Sequence, residues 1–307
     1  MESPKVSVII PNYNHARYLD QRIQSVLNQT YQDFEVIILD DCSTDNSQEV
    51  INKYKDNPHV SQIVVNEVNS GSTFKQWDKG IHLAKGEIIW IAESDDYCEL
   101  NLLEELVKAY EHKPDTVLAY TTSVALYEDT GKRSWNKQFK NKYCSGAHYC
   151  RHYLSIGCMV FNASSAIFSR KAALYVPDTY QTSYAAGDYW FWIGIAKQGN
   201  IAIVSKGLNY WRRHSQTVTS GKTADGSNLH AEMDIYQDLN ASFHFSFFRR
   251  MLAFTHRASQ IFEYEFVSEG VRNEVSELWH ASRYKAHFFV AVETVAEHLR
   301  KYYNIYL

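Results

Sequence analysis

The 307-residue chain has no glycine-rich cradle for phosphate. G-x-G-x-x-G occurs nowhere. Ser220-Gly221-Lys222-Thr223 is not a P-loop, because the required first glycine falls at Gln216 and no buried strand precedes it. There is no excess of positive charge: 31 Lys and Arg stand against 35 Asp and Glu, which removes the electrostatic footprint of a nucleic-acid binder. No apolar run approaches the ~18–20 residues needed to span a bilayer. Five cysteines at irregular spacings, with no signal peptide ahead of the first strand, lead us to expect a reducing cytoplasm and no disulfide framework.

What is present is an ordinary globular composition. A hydrophobic content of 45% supports a substantial core, and the length suits one large domain or two joined ones. Aromatic residues thicken toward the C-terminal half, which fits a sugar-binding or interfacial surface, or an aromatic core.

The central stretch is Ile88-Ile89-Trp90-Ile91-Ala92-Glu93-Ser94-Asp95-Asp96. Its five apolar residues read as a strand buried on both faces. Three carboxylates follow within four positions, so the chain must leave the sheet at Glu93 and reach solvent or a cation. Adjacent Asp95 and Asp96 face one site only if the backbone turns there. A turned, anionic strand end suits a hard divalent cation such as Mg2+ or Mn2+; a solvated acidic loop is the plainer alternative.

Similar buried strands are expected at Val6–Ile10, stopped by Pro11, and at Glu35–Leu39, ending in Asp40-Asp41. Shorter ones are expected at residues 62–65, 117–121, 163–168 and 201–204. Helices are expected over 18–28, from the cap cluster at Ser43–Ser47 to Tyr54, over 73–85 with Gly86 as C-terminal cap, over 101–112, and over 189–197 after Gly187-Asp188. Tyr210–His214 reads as a polar turn. Strands alternating with amphipathic helices predict an α/β fold with a doubly wound, mostly parallel sheet. In such sheets ligands sit outside the carboxyl ends of the strands, so Pro11–Asn14, Asp40-Asp41 and Glu93–Asp96 should converge on one crevice.

Cys144, His148, Cys150, His152 and Cys158 resemble scattered zinc ligands, but their spacing matches no common zinc pattern; buried thiols and loop histidines are the better reading. From about 225 the pattern is helical, which divides the chain at 1–222 and 223–307. Phe243, Phe247, Phe248 and Met251 beside Arg249-Arg250 suggest an amphipathic face. Residues 222–307 hold nine Lys/Arg against eleven Asp/Glu, so packing, a homodimer contact or cover for an acceptor is preferred to peripheral contact with a membrane.

Read in order, Val6-Ser-Val-Ile-Ile-Pro-Asn-Tyr-Asn14, Gln29-Thr-Tyr-Gln-Asp-Phe-Glu35, Leu39-Asp-Asp-Cys-Ser-Thr-Asp45, Asn69-x-Gly71, Ala84-Lys-Gly-Glu87 and Glu93-Ser-Asp-Asp96 resemble the family 2 inverting glycosyltransferases, whose fold is GT-A. The resemblance covers roughly residues 5–215. It implies that Pro11 and Asp41 line the base and ribose of a uridine-type donor, with Asn12, Tyr13, Asp40 and Gly71 on the same nucleotide-sugar side. It implies that Asp95 meets the ribose or diphosphate, that Asp96 holds Mn2+ or Mg2+ with His214 as an extra ligand, and that Asp188 is the general base. Two departures stand out. Glu93 replaces the first acid of the Asp-x-Asp element and still offers the metal an oxygen, with a longer reach. Trp77-Asp78 replaces the usual Arg-Asn before Gly80, which loosens the expectation for the donor.

The implied function is transfer of a sugar from a nucleoside-diphosphate donor, UDP above all, to a hydroxyl of a glycan or lipid-linked acceptor, in polysaccharide or cell-surface glycan synthesis. The expected setting is the cytoplasm, with docking at the inner face of the membrane allowed. The alternatives are a sugar-nucleotide pyrophosphorylase, which would want a basic, glycine-rich first loop, and a non-catalytic saccharide-binding scaffold. A retaining route is disfavoured by the resemblance alone.

Overall fold

The computed structural model describes residues 3–135, 141–183, 185–213, 224–288 and 290–292. The chain divides into two compact units, residues 1–149 with 158–214, and residues 150–157 with 215–307.

The first unit is built on one ten-stranded sheet. Its strands are β1 (Val6–Asn12), β2 (Phe34–Asp40), β3 (Val60–Val65), β4 (Ile88–Ile91), β5 (Tyr97–Cys98), β6 (Thr116–Tyr127), β7 (Arg133–Trp135), β8 (Lys142–Ser145), β9 (Ala166–Ser169) and β10 (Asn200–Arg213). The order along the sheet is β3-β2-β1-β4-β9-β6-β10-β5, with β7 on β6 and β8 on β10. β3, β2, β1 and β4 run parallel, as do β6 and β10. β9 lies antiparallel between β4 and β6. Every residue of β1, β2 and β4 is buried, as expected of strands covered on both faces. Each large apolar side chain buried in this way contributes about 1.5–3 kcal/mol, so these three strands anchor the unit.

Helices α1 (Ala16–Leu27), α2 (Ser47–Asn52), α3 (Thr73–Leu83), α4 (Leu102–Glu111) and α5 (Gly187–Ala196) follow the apolar spacing of the sequence. α5 is apolar nearly all round, and Tyr189, Phe191, Trp192, Ile193 and Ile195 are all buried. Gly80 lets α3 lie directly on β1, since a Cβ there would come 2.5 Å from Ile9 Cγ2. The expected cap role of Gly86 is not what the structure gives. Ala84 ends α3 in an extended conformation, and a Cβ at Gly86 would sit 2.7 Å from the Ser7 amide nitrogen. Gly86 is therefore required by close backbone approach. The expected turn at 210–213 is likewise strand: β10 continues through it, pairing with β6 up to Arg213–Tyr127. Periodicity misses this because β10 carries irregular register near Val204–Asn209.

In the second unit, α6 (Ser227–Phe243), α7 (Phe247–Glu263) and α8 (Glu269–Leu278) enclose Leu229, Met233, Leu239, Ile261 and Trp279. The Trp279 indole N–H donates to the Leu229 carbonyl at 2.9 Å. Ser246 and Ser268 cap α7 and α8 through the amides of Arg249 and Val271. His152 Nδ1 meets Arg249 at 2.8 Å, so this histidine serves packing. Among the described residues no three His, Cys, Asp or Glu side chains are grouped as metal ligands. No helix among them is long and apolar enough to cross a membrane.

Candidate active site at the ends of β1, β2 and β4

The three polar loops meet. At the end of β1, Asn12 is buried, and its Nδ2 donates to Asp40 Oδ1 at 2.7 Å and to Ser43 Oγ at 3.1 Å. The Asp41 amide donates to the Asn12 carbonyl at 2.8 Å. His15 Nδ1 lies 2.8 Å from Ser94 Oγ, joining the β1 loop to the β4 loop. Asn14, Cys42 and Gly71 all take positive φ, at 57°, 63° and 72°. Left-handed backbone in three neighbouring loops is held there by side-chain bonds; Asn14 Oδ1, for one, accepts from the Thr44 amide at 2.7 Å. Pro11 is buried beneath this rim, while Tyr13 is 46% exposed and Gly71 is open, so both can face a ligand.

The carboxylates differ in how they are used. Asp40, fully buried, accepts from Asn12, from the Ser43 amide at 3.0 Å and from Ser43 Oγ at 2.6 Å. Asp41 is buried too. It accepts from Asn66 Nδ2 at 2.6 Å, Gln76 Nε2 at 3.0 Å, Ser70 Oγ at 2.7 Å and the Ser70 amide. These two residues shape the loops at the ends of β1 and β2 from within.

After β4 the chain turns, with the Asp96 amide on the Glu93 carbonyl at 3.2 Å, and the neighbouring carboxylates part. Asp96, expected to face a cation, turns inward instead and has no exposed surface. Its Oδ2 accepts from Ser164 Oγ at 2.7 Å and lies 3.8 Å from the Arg22 guanidinium; its Oδ1 accepts from the Arg212 amide at 3.2 Å. Burial, followed by the charge of Asp95, raises its pKa, and Arg22 opposes the rise. Glu93 and Asp95 are half-buried. Glu93 Oε1 accepts from the Trp77 indole N–H at 2.8 Å. Burial pushes Glu93 up to about 8, and the nearby Asp95 charge adds to this. Two crowded carboxylates at a strand end fit a hard divalent cation, which needs only one or two protein carboxylates when phosphates complete the shell.

Asp188 is half-buried in the first turn of α5. Its Oδ1 accepts from the Tyr189 amide at 2.9 Å. One turn on, Phe191 packs edge-on against Trp77 with ring centroids 5.5 Å apart. α5 thus abuts the residue that holds Glu93. His214 lies outside the described residues.

Two arginines of the site go unmarked in the sequence motifs. Arg22 is fully buried, and its Nε donates to the Glu93 carbonyl at 2.9 Å. Arg212 donates to the Asp95 carbonyl and to Gln21 Oε1, each at 2.5 Å, under the rings of Tyr18 and Tyr97. A signal for Arg22 does exist: it stands on the apolar stripe of α1, between Tyr18 and Val26, where a cation demands a buried anion. Arg212 gives none, because its segment reads as a turn.

Comparison with known proteins bears on the family and the fold. The model of Glycosyl transferase family 2 matches residues 7–174. Glycosyltransferase GlyG of Streptococcus pneumoniae is 32% identical over 173 residues, 54% of each chain. Poly(ribitol-phosphate) beta-N-acetylglucosaminyltransferase TarS of Staphylococcus aureus is 35% identical over 119 residues, 37% of this chain and 20% of its own. The chain thus spans about half the length of the first of these relatives and less of the second. Among solved structures, TarS 1–349 in complex with UDP superposes with a TM-score of 0.57 at 20% identity, covering 92% of this chain and 87% of that one. Mannosyltransferase PcManGT from Pyrobaculum calidifontis, in complex with GDP-Man and Mn2+, gives 0.56 at 14% identity, over 94% and 84%. Both likenesses concern the fold. With more than half of its length matched by the family and its sheet arranged as in GT-A proteins, this chain belongs to glycosyl transferase family 2.

Proposed function

We propose that the chain transfers a sugar from a nucleoside-diphosphate donor, UDP first among them, to an acceptor hydroxyl with inversion, in the synthesis of a polysaccharide or cell-surface glycan. The observation that carries this reading is the joining of the β1, β2 and β4 loops through Asn12–Asp40 and His15–Ser94 into one acidic rim. Tyr13, Gly71 and the loops shaped by Asp40 and Asp41 receive the base and ribose, above Pro11 and Asn12. Asp95 and Glu93 would hold the cation, with Asp96 as the buried counter-ion that fixes their loop. His214 keeps its implied role as a further ligand. When bound, Mn2+ or Mg2+ stabilises the charge of the departing diphosphate.

Asp188 takes the acceptor proton. The acceptor oxygen bonds to the anomeric carbon as the bond from that carbon to the diphosphate oxygen breaks, and the nucleoside diphosphate leaves from the opposite face. A base positioned in this way contributes ~10²–10⁴-fold. The test is a panel of nucleotide sugars, assayed with and without Mn2+ for binding and for release of nucleoside diphosphate. UDP released from a UDP-sugar only in the presence of metal is the expected result. Formation of UTP and a sugar 1-phosphate from a UDP-sugar when pyrophosphate is added, or no binding of any nucleotide, would refute the assignment.

A further inference from the structure

Trp77 occupies an unusual junction. It is 2% exposed, and its ring touches Phe74 at 5.1 Å, Phe191 at 5.5 Å and Trp192 at 6.1 Å between centroids. These contacts would satisfy an ordinary core tryptophan, and any carbonyl would satisfy its N–H. The N–H instead goes to a carboxylate oxygen of the acidic loop, Glu93 Oε1 at 2.8 Å. The Glu93 backbone is held separately, its carbonyl by Arg22 and its amide by Ser164 Oγ at 3.0 Å. The indole is thus the side-chain donor that aims the carboxylate, while arginine and serine fix its main chain.

The chemistry of the donor matters. An arginine or lysine in this place would neutralise Glu93 and compete with a cation for it. A neutral N–H orients one oxygen without bringing a positive charge of its own to compete with a cation for the carboxylate. We infer that Trp77 is a positioning residue, which fixes Glu93 by a neutral hydrogen bond so that its second oxygen meets the donor-bound divalent cation. The same ring seats α5, so the carboxylate loop and the helix bearing Asp188 share one rigid support. This inference rests on the nucleotide-sugar reading above.

The test is calorimetric titration of nucleoside diphosphates into the wild-type chain and Trp77→Phe, with and without Mn2+. Phenylalanine keeps an aromatic ring and removes the donor. The expected result is metal-free affinity within about twofold of wild type and a roughly tenfold or greater loss of the enhancement by Mn2+. The double variant Trp77→Phe/Glu93→Gln should lose no more than Glu93→Gln alone. A merely structural tryptophan would weaken both titrations alike, or neither, and either result overturns the inference while leaving the donor reading intact. If wild type shows no metal-dependent binding of any nucleoside diphosphate, the donor reading fails and this inference with it.

If Trp77→Phe does not fold, the indole 15N–1H resonances of the wild type and Glu93→Gln carry the question. One resonance should shift both on Glu93→Gln and on adding Mg2+ with the nucleotide. No indole resonance responding to both overturns the inference.

Discussion

The end of β2 and the end of β4 present the same residue type and use it in opposite ways. At β2, Asp40 and Asp41 are buried, and their oxygens are taken up by several donors each, Asn12 and Ser43 for Asp40 and Asn66, Ser70 and Gln76 for Asp41. At β4, Glu93 and Asp95 stay half-buried, and the carboxylate of Glu93 is aimed by a neutral donor from another element, Trp77. Asp96 belongs by sequence to the second group and by environment to the first. The number and sign of the donors around a carboxylate, more than its position in a motif, decide whether it shapes the site or serves it.

That contrast can be broken by mutation. The largest effect is expected at Asp188, which stands outside both loops. Asp188→Asn should lower transfer by ~10²–10⁴-fold with nucleotide affinity nearly unchanged, as read by product formation beside calorimetry. Retained turnover would remove Asp188 from the chemistry.

Next come the neighbours. Asp95→Ala should cut Mn2+-dependent binding of the nucleotide by about tenfold or more and leave the melting temperature almost unmoved. Asp96→Ala should do the reverse in stability, because it leaves Arg22 buried without its anion. A loss of about 3–5 kcal/mol is expected, seen as a fall in melting temperature on the order of 10 °C. Equal melting temperatures for the two variants would end the distinction drawn between them.

The smallest effect tests the β2 side. Gly71 sits at φ 72°, and a methyl group added there would meet nothing within 4 Å, so Gly71→Ala meets backbone strain alone. It should cost about 1–2 kcal/mol in urea denaturation. A neutral or stabilising result would show that the turn relaxes freely.

The buried strands were legible because apolar runs such as those within Val6–Asn12 and Phe34–Asp40 admit few other structures once amphipathic helices follow them. The site loops were legible for a related reason: charges that follow a buried strand must emerge at its end. What escaped the sequence was direction. Asp95 and Asp96 are adjacent, and no local rule says which turns inward; Ser164 and Arg212, 68 and 116 residues further along from Asp96, decide it. Trp77 reads as one more apolar position on α3, and its N–H partner lies on a different loop. β10 escaped because its irregular register hides the alternation on which strand reading depends.

The sequence by itself determined the layered α/β architecture and the strand ends at which the acidic residues collect, because burial and charge cannot share one stretch of strand. Only the tertiary structure decided which carboxylates are consumed as scaffold and which stay at the rim. That choice depends on donors delivered from distant parts of the chain, and the free energy of a buried charge is set by those neighbours.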